Sequence, residues 1–345
     1  MAMTLDERKR KVLRAIIDDY IGTAEPVGSR TIVRRYELGV SPATIRNEMA
    51  DLEMLGYLEQ PHTSAGRIPS AKGYRFYVDC LMDPQSLSAH EEALIRQWYD
   101  TRVKEVNQVF QESAKLLSRI THHVSLVLTP QISQCTFKYL QFLPLDERKV
   151  LGVMVTDTGL VENKLIEIPA GISMVDLQHI AEVINNQLTG LRFDQIRGEL
   201  LAELHRQVIK HPLLFQTSLD LLRRTSQVQR GEKVFLGGTT QLFSQPEFKD
   251  PEKVKAILAM LEEDQLLYDI LTPADTEEVH VTIGTENKFS GIQQCSMVTA
   301  TYAIHGKTIG TIAVLGPTRM EYAKMISVMQ FMTRQLTEVL KKFGL

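Results

Sequence analysis

Apolar residues recur at helical spacing three times before the sixtieth position. Leu13, Ile16, Ile17 and Tyr20 form one stripe within residues 5–21, and a short second helix runs from Ser29, its cap, to about Tyr36. A third helix, between Ala43 and Gly56, carries Ile45, Met49 and Leu52 at i, i+4 and i+7. Between the second and third lies Gly39-Val40-Ser41-Pro42. Gly39 suits a left-handed helix end, Ser41 caps the next helix, and Pro42 sits where its missing N–H costs nothing. After the third helix, residues 57–60 alternate like a strand, 61–66 are turn formers, and 67–69 return as a second strand. The predicted unit is a three-helix bundle with a helix-turn-helix, followed by a two-stranded wing.

The third helix has an outer face that suits a DNA major groove. At 100° per residue, Ala43, Asn47, Ala50 and Met54 lie opposite the apolar stripe, with Thr44 and Arg46 on its flanks. Arg can fork onto guanine, Asn onto adenine, and an Ala or Thr methyl can meet a thymine methyl. Arg46 and Asn47 are therefore expected to read bases, with Ala43 and Thr44 as close-contact positions. From Gln60 to Val78 there is no acidic residue, whereas His62, Thr63, Ser64, Arg67, Lys72 and Arg75 fall there. Together with Ser41 they are expected to grip the sugar-phosphate backbone or minor groove. The competing reading is an ordinary capped helix, since the same helix carries Glu48, Asp51 and Glu53. Residues 1–82 hold 12 Lys/Arg against 11 Asp/Glu, so placement and not total charge carries the argument.

Further along, residues 83–90 read as a linker and 91–121 as one long helix with Leu94, Trp98, Val109, Leu116 and Leu117 among its apolar positions. Strands are predicted at 124–129, 137–143, 150–156 and 161–168, all rich in β-branched and aromatic residues. The pattern then turns helical, at 177–188, 195–208, 213–228 and 252–271, with one strand at 233–236. Strands resume at 279–284, 297–304 and 308–315 before a closing helix over 320–343. A helical block between two groups of strands predicts an inserted domain. The expected division is a DNA-binding domain at 1–82, a linker at 83–90, a body at 91–171 and 275–345, and an insertion at 172–274.

The length of 345 residues allows two or three domains without a metal or disulfide staple. A net charge of −3 argues against a uniformly basic nucleic-acid coat, so any DNA contact is local. Cys80, Cys135 and Cys295 lie far apart with no ligand spacing and are expected to be reduced thiols. Neither a signal-peptide pattern nor a run of about 18 apolar residues occurs, so a cytoplasmic protein with no membrane partner is expected.

Several segments resemble a known family. YIGTAEPVGSRTI, SPATIRNEMADLEMLGYLEQPHTSAGRIPSAKGYRFYVD and GPTRMEYAKMISVM closely resemble the bacterial heat-inducible transcription repressor HrcA family, over nearly the whole chain. One departure is Thr23-Ala24-Glu25, where the family favours a glycine before the glutamate. The resemblance implies an α+β multidomain chain: an N-terminal winged helix-turn-helix, a GAF-like α/β domain and an inserted, mostly helical dimerisation domain. It also implies a homodimer on the inverted-repeat operator of chaperone operons, a double-stranded DNA partner, and maintenance of the active form by the GroEL chaperonin.

Enzymatic readings are weak. Gly306-Lys307-Thr308 resembles the end of a P-loop, but Thr301 stands where a glycine is needed. Gly237-Gly238-Thr239-Thr240 is better read as a turn, and His122, His123, His205 and His211 lack convergent carboxylate or thiol partners. No cofactor and no metal are expected. The alternative function is a metabolite-sensing regulator whose GAF-like domain binds a ligand near Glu286, Asn287 and Tyr302.

Overall fold

The computed structural model describes residues 5–63, 65–103, 106–129, 136–146, 149–157, 161–167, 173–196, 234–272, 279–304 and 307–342. The expected helix at 213–228, most of that at 195–208, Cys135, His205 and His211 lie outside the described residues.

Capping chemistry sets the ends of the first helices. Asp6 accepts the Lys9 N–H and opens α1 (Glu7–Thr23), which closes on Ala24 at φ 58°. A left-handed alanine costs about 1–2 kcal/mol. Glycine avoids that cost, which gives a physical reason for the glycine expected before Glu25. α2 (Ser29–Arg35) begins with Ser29 as its first residue and Gly28 as its cap, so Ser29 is not the capping residue expected. The chain then turns through Gly39, at φ 69°, into α3 (Pro42–Met54). There the Ser41 hydroxyl accepts the Thr44 N–H at 3.2 Å.

β1 (Leu58–Glu59) and β2 (Ile68–Pro69) form the antiparallel hairpin. An isolated bridge between Val27 and Arg67 ties it to the loop after α1. A Cβ on Gly66 would lie 2.4 Å from the Val27 carbonyl oxygen, so this approach requires glycine. The hairpin leads into α4 (Ala71–Phe76). Leu13, Ile16, Ile17, Ile32, Ile45 and Leu52 are fully buried where the three stripes meet. Roughly 1.5–3 kcal/mol of hydrophobic stabilisation accompanies each such side chain.

The expected long helix is two. α5 (Ala89–Arg102) starts at a Ser88–Glu91 capping box and ends where Val103 takes extended backbone, and α6 (Val106–Thr121) follows. The Tyr99 and Ser113 hydroxyls join the two helices at 2.6 Å. Folding back buries Tyr99 with Val109, Leu116 and Leu117, which a continuous rod would leave apart. Helix 252–271 is likewise divided, into α8 (Pro251–Leu261) and α9 (Asp264–Leu271), on either side of Glu262-Glu263. Between α6 and α8 come β3 (Val124–Leu128), β4 (Phe137–Pro144), β5 (Lys149–Thr156), β6 (Val161–Glu167), α7 (Met174–Leu188) and β7 (Val234–Gly237). β8 (Val279–Ile283), β9 (Cys295–Ile304), β10 (Lys307–Pro317) and α10 (Tyr322–Lys342) close the chain.

Two sheets share these strands in an order the sequence does not reveal. A five-stranded antiparallel sheet runs β7-β3-β10-β9-β8, while β4, β5 and β6 form a sheet of their own. Successive residues of β10 serve opposite faces: Ile312 and Val314 join α6 and α10 in one core, Ala313 and Leu315 join α8 and α9 in another. The separate three-stranded sheet buries Phe137, Leu140, Val150, Met154 and Ile166 beneath α7. This corrects the expected grouping at two places. Strands 137–167 pack apart from the five-stranded sheet, and 234–272, expected inside a helical insertion, belongs to that sheet and its covering helices.

Candidate nucleic-acid interface

The outer face of α3 is open along its N-terminal half. Ser41, Pro42, Ala43, Arg46 and Asn47 are exposed, Thr44 is half-buried, and Ile45, Met49 and Leu52 point inward. Met54 continues the open face and is 80% exposed. The Ser41 hydroxyl is engaged with Thr44, 3.0 Å from its hydroxyl, so it fixes the helix start as well as lying at the surface.

The three carboxylates of α3 are all answered within the chain. Lys9 of α1 lies 2.9 Å from Glu48 and 3.1 Å from Asp51, Arg8 lies 3.6 Å from Glu48, and Arg67 of the hairpin lies 2.7 Å from Glu53. Hydrogen bonds to Glu48, Asp51 and Asp6 hold the Lys9 ammonium well above the usual lysine range. Glu48 is buried. The repulsion that these acids would exert on phosphate is thereby turned inward, while Arg46 remains exposed.

His62 and Thr63 are exposed at the hairpin tip, where the Gln60 amide donates to the Thr63 and Ala65 carbonyls at 3.0 and 3.2 Å. Ser64 lies outside the described residues. Arg67 is only 19% exposed and is spent largely on Glu53. Lys72 donates to the Leu55 carbonyl at 2.7 Å and lies 4.5 Å from the centre of the Tyr57 ring. Its charge therefore sits at the negative end of α3 as well as at the surface.

Arg75 requires correction. Its guanidinium turns away from the hairpin tip and forks onto Glu286, with the Nε bond at 2.8 Å, and it also reaches the Val281 carbonyl and Asp79. It faces the five-stranded sheet and is not presented with the other cations. Two arginines absent from the expected set, Arg30 and Arg34, are exposed on α2, which packs against α3. Their i, i+4 spacing around the buried Ile32 was the signal that could have found them.

Of the three residues expected to mark a ligand site, Glu286 and Asn287 line one cavity and Tyr302 does not. A cavity of about 350 Å³ lies against β8 and β9, lined by Leu271, Phe289, Met297, Thr299 and Thr301 as well as by Glu286 and Asn287. Tyr302 points to the opposite face and donates to the Leu128 carbonyl at 2.6 Å. Asn287 is consumed by the Gly284, Ile292 and Cys295 carbonyls and the Thr282 hydroxyl. Among the described residues no group of three His, Cys, Asp or Glu side chains is placed to hold a metal, and no helix is long and apolar enough to cross a membrane.

The family model described as the HrcA protein C terminal domain matches residues 107–326. A heat-inducible transcription repressor HrcA from Pelotomaculum thermopropionicum is 49% identical over 341 residues, covering 99% of this chain and 98% of the relative. The chain belongs to the HrcA family. Its HrcA relatives from Moorella thermoacetica, 45% identical with 99% of each chain covered, and Symbiobacterium thermophilum, 43% identical with 98% and 100% covered, extend the likeness through the α1 to β2 region. A crystal structure described as a hypothetical protein matches with a TM-score of 0.67 at 22% identity, over 99% of this chain and 100% of the other. That likeness shows a shared mixed α and β fold.

Proposed function

We propose that this member of the HrcA family is a DNA-binding repressor of heat-shock chaperone operons that occupies an inverted-repeat operator as a homodimer. The observation that carries the reading is the open, acid-free outer face of α3, whose three carboxylates are each paired behind it. On this reading residues 5–81 form a winged helix. Arg46 and Asn47 meet base edges, Ala43 and Thr44 pack closely in the groove, and Ser41, His62, Thr63, Ser64 and Lys72 contact the backbone. Arg67 contributes mainly by holding the hairpin to α3, and repression follows from occupancy without chemical turnover.

The five-stranded sheet with its helices is read as the GAF-like body, and the three-stranded unit as part of the inserted dimerisation domain. Support comes from the sheet face turned away from α7. There Tyr139, Val155 and Val161 stand in one cross-strand row, and Leu143, Leu151 and Leu165 in another. Tyr139, Leu143, Val161 and Leu165 are exposed in the single chain. An apolar face of this kind marks an interaction surface, and a second copy would bring a second recognition helix to the other half of a palindrome. Half-sites are then expected about 10 bp apart or a multiple of it. A cytoplasmic location follows from this role.

Maintenance by the GroEL chaperonin is tested in a purified system. Protein whose operator binding has been lost by mild heating should regain it on adding chaperonin and ATP with no metabolite present. Recovery that instead requires a small-molecule extract, and not chaperonin, would favour a metabolite-sensing regulator.

A further inference from the structure

Two arginines, one from each side, cross between the α1–α4 unit and the five-stranded sheet unit. Arg75 of α4 forks onto Glu286, which follows β8, and donates to the Val281 carbonyl at 2.5 Å. In the reverse direction Arg319, which precedes α10, donates to the Ile21 carbonyl in the last turn of α1 at 2.6 Å. Behind it Glu247 takes the remaining edge of the guanidinium at 2.6 and 3.4 Å. Between these points the Tyr74 and Tyr322 rings pack with centroids 5.8 Å apart, and both side chains are fully buried.

The socket for Arg75 is rigid. Asn287, buried, bonds four partners in and beside the turn that carries Glu286, and Glu286 itself accepts the Ile283 N–H at 2.8 Å. A Cβ on Gly284, at φ 59°, would lie 3.3 Å from the Ala71 Cβ, so α4 sits directly on this turn. The linker is also tied on both sides, by Arg14 to Asp83 and by Ser327 to the Gln85 carbonyl. Bidentate guanidinium contacts constrain direction as well as distance. None of these contacts touches Arg46 or Asn47, which stay exposed.

We propose that the Arg75–Glu286 and Arg319–Glu247–Ile21 contacts are a positioning latch that fixes the angle of the recognition helix on the body, and thereby sets which half-site spacing the dimer accepts. This rests on the homodimeric operator reading above. The physical logic is that of a linked bivalent binder. Two readers held rigidly at the matching separation see each other's half-site at high effective concentration, whereas readers on loosened tethers lose that gain and tolerate other separations.

The test uses the full chain with Glu286→Gln, Arg319→Gln and the exchange Arg75→Glu/Glu286→Arg. Each is titrated on the native operator, on operators with one or two base pairs added or removed, and on a single half-site. For the two single variants the expected result is about a tenfold weaker native-operator affinity, a flattened spacing dependence and an unchanged half-site affinity. The exchange variant restores opposite charges but not the Val281 carbonyl and Ile283 N–H bonds, so it should recover the steep dependence only in part; a dependence as flat as in Glu286→Gln would overturn the latch.

Spacing dependence as steep as in the parent chain, tighter operator binding, or an equal loss on the half-site would each overturn the latch. A readout without DNA keeps it separable from the dimer reading: limited proteolysis within exposed residues 83–86 should be faster in both single variants. An unchanged cleavage rate would overturn the latch even if the chain proved to bind DNA as a monomer. No preference of the parent chain for an inverted repeat over a half-site would instead sink the dimer reading.

Discussion

Arg46→Ala is expected to cost about 1–3 kcal/mol per recognition helix on the operator, and much less on random duplex of equal length and charge. With two helices engaged, operator affinity falls by roughly tenfold for each 1.4 kcal/mol lost, so the combined loss is about one and a half to four orders of magnitude. The expectation follows from where Arg46 stands. It is exposed near the N-terminal end of α3, while the acids of that helix are held by Lys9, Arg8 and Arg67. Truncating it should remove a base contact and leave the fold intact. Competitive titration on operator and scrambled DNA at one salt concentration checks this. An equal loss on both duplexes would assign Arg46 to phosphate.

A second large effect is acid lability centred on His123. Burial, then the neighbouring Arg319 and His122 charges, lower this imidazole from 6.5 to about 4, against a smaller upward pull from Glu247. The unfolded chain therefore binds more protons between those two values. Stability from keeping His123 neutral is fully present above pH 6.5 and is lost progressively as pH falls toward 4, by about 3 kcal/mol in all. Space for relief is small, because a Cβ on Gly316 would already lie 2.7 Å from the His123 Nδ1. Denaturant midpoints measured from pH 7 to pH 4 should show this slope in the parent chain and a reduced slope in His123→Gln. An unchanged slope in the variant would remove His123 as its source.

The exposed face of α3 is legible in the sequence because it is local. Ile45, Met49 and Leu52 fix the rotation of α3, so their spacing alone places Ala43 and Asn47 outward with Arg46 on the flank, and Ser41-Pro42 fixes where the helix starts. Gly39 was likewise readable as a left-handed position. What could not be read depends on partners distant in sequence. Arg75 looks like one more hairpin cation until Glu286, 211 residues away, is folded beside it. The loss of β4 to β6 from the main sheet was hidden for the same reason. Their alternation predicts half-buried strands but does not say which strands they pair with. The break at Val103 leaves no mark in the sequence because apolar residues continue at helical spacing on both sides of it.

Operator reading by two α3 helices is tested by hydroxyl-radical and dimethyl sulfate footprinting of the full chain on a chaperone-operon operator, with a scrambled duplex as control. Two major-groove segments on one face of the duplex, about 10 bp or a multiple of it apart, should be protected, with at least one guanine N7 shielded in each and released by Arg46→Ala. Uniform protection of both duplexes, or a footprint unmoved by that substitution, would contradict operator reading by α3.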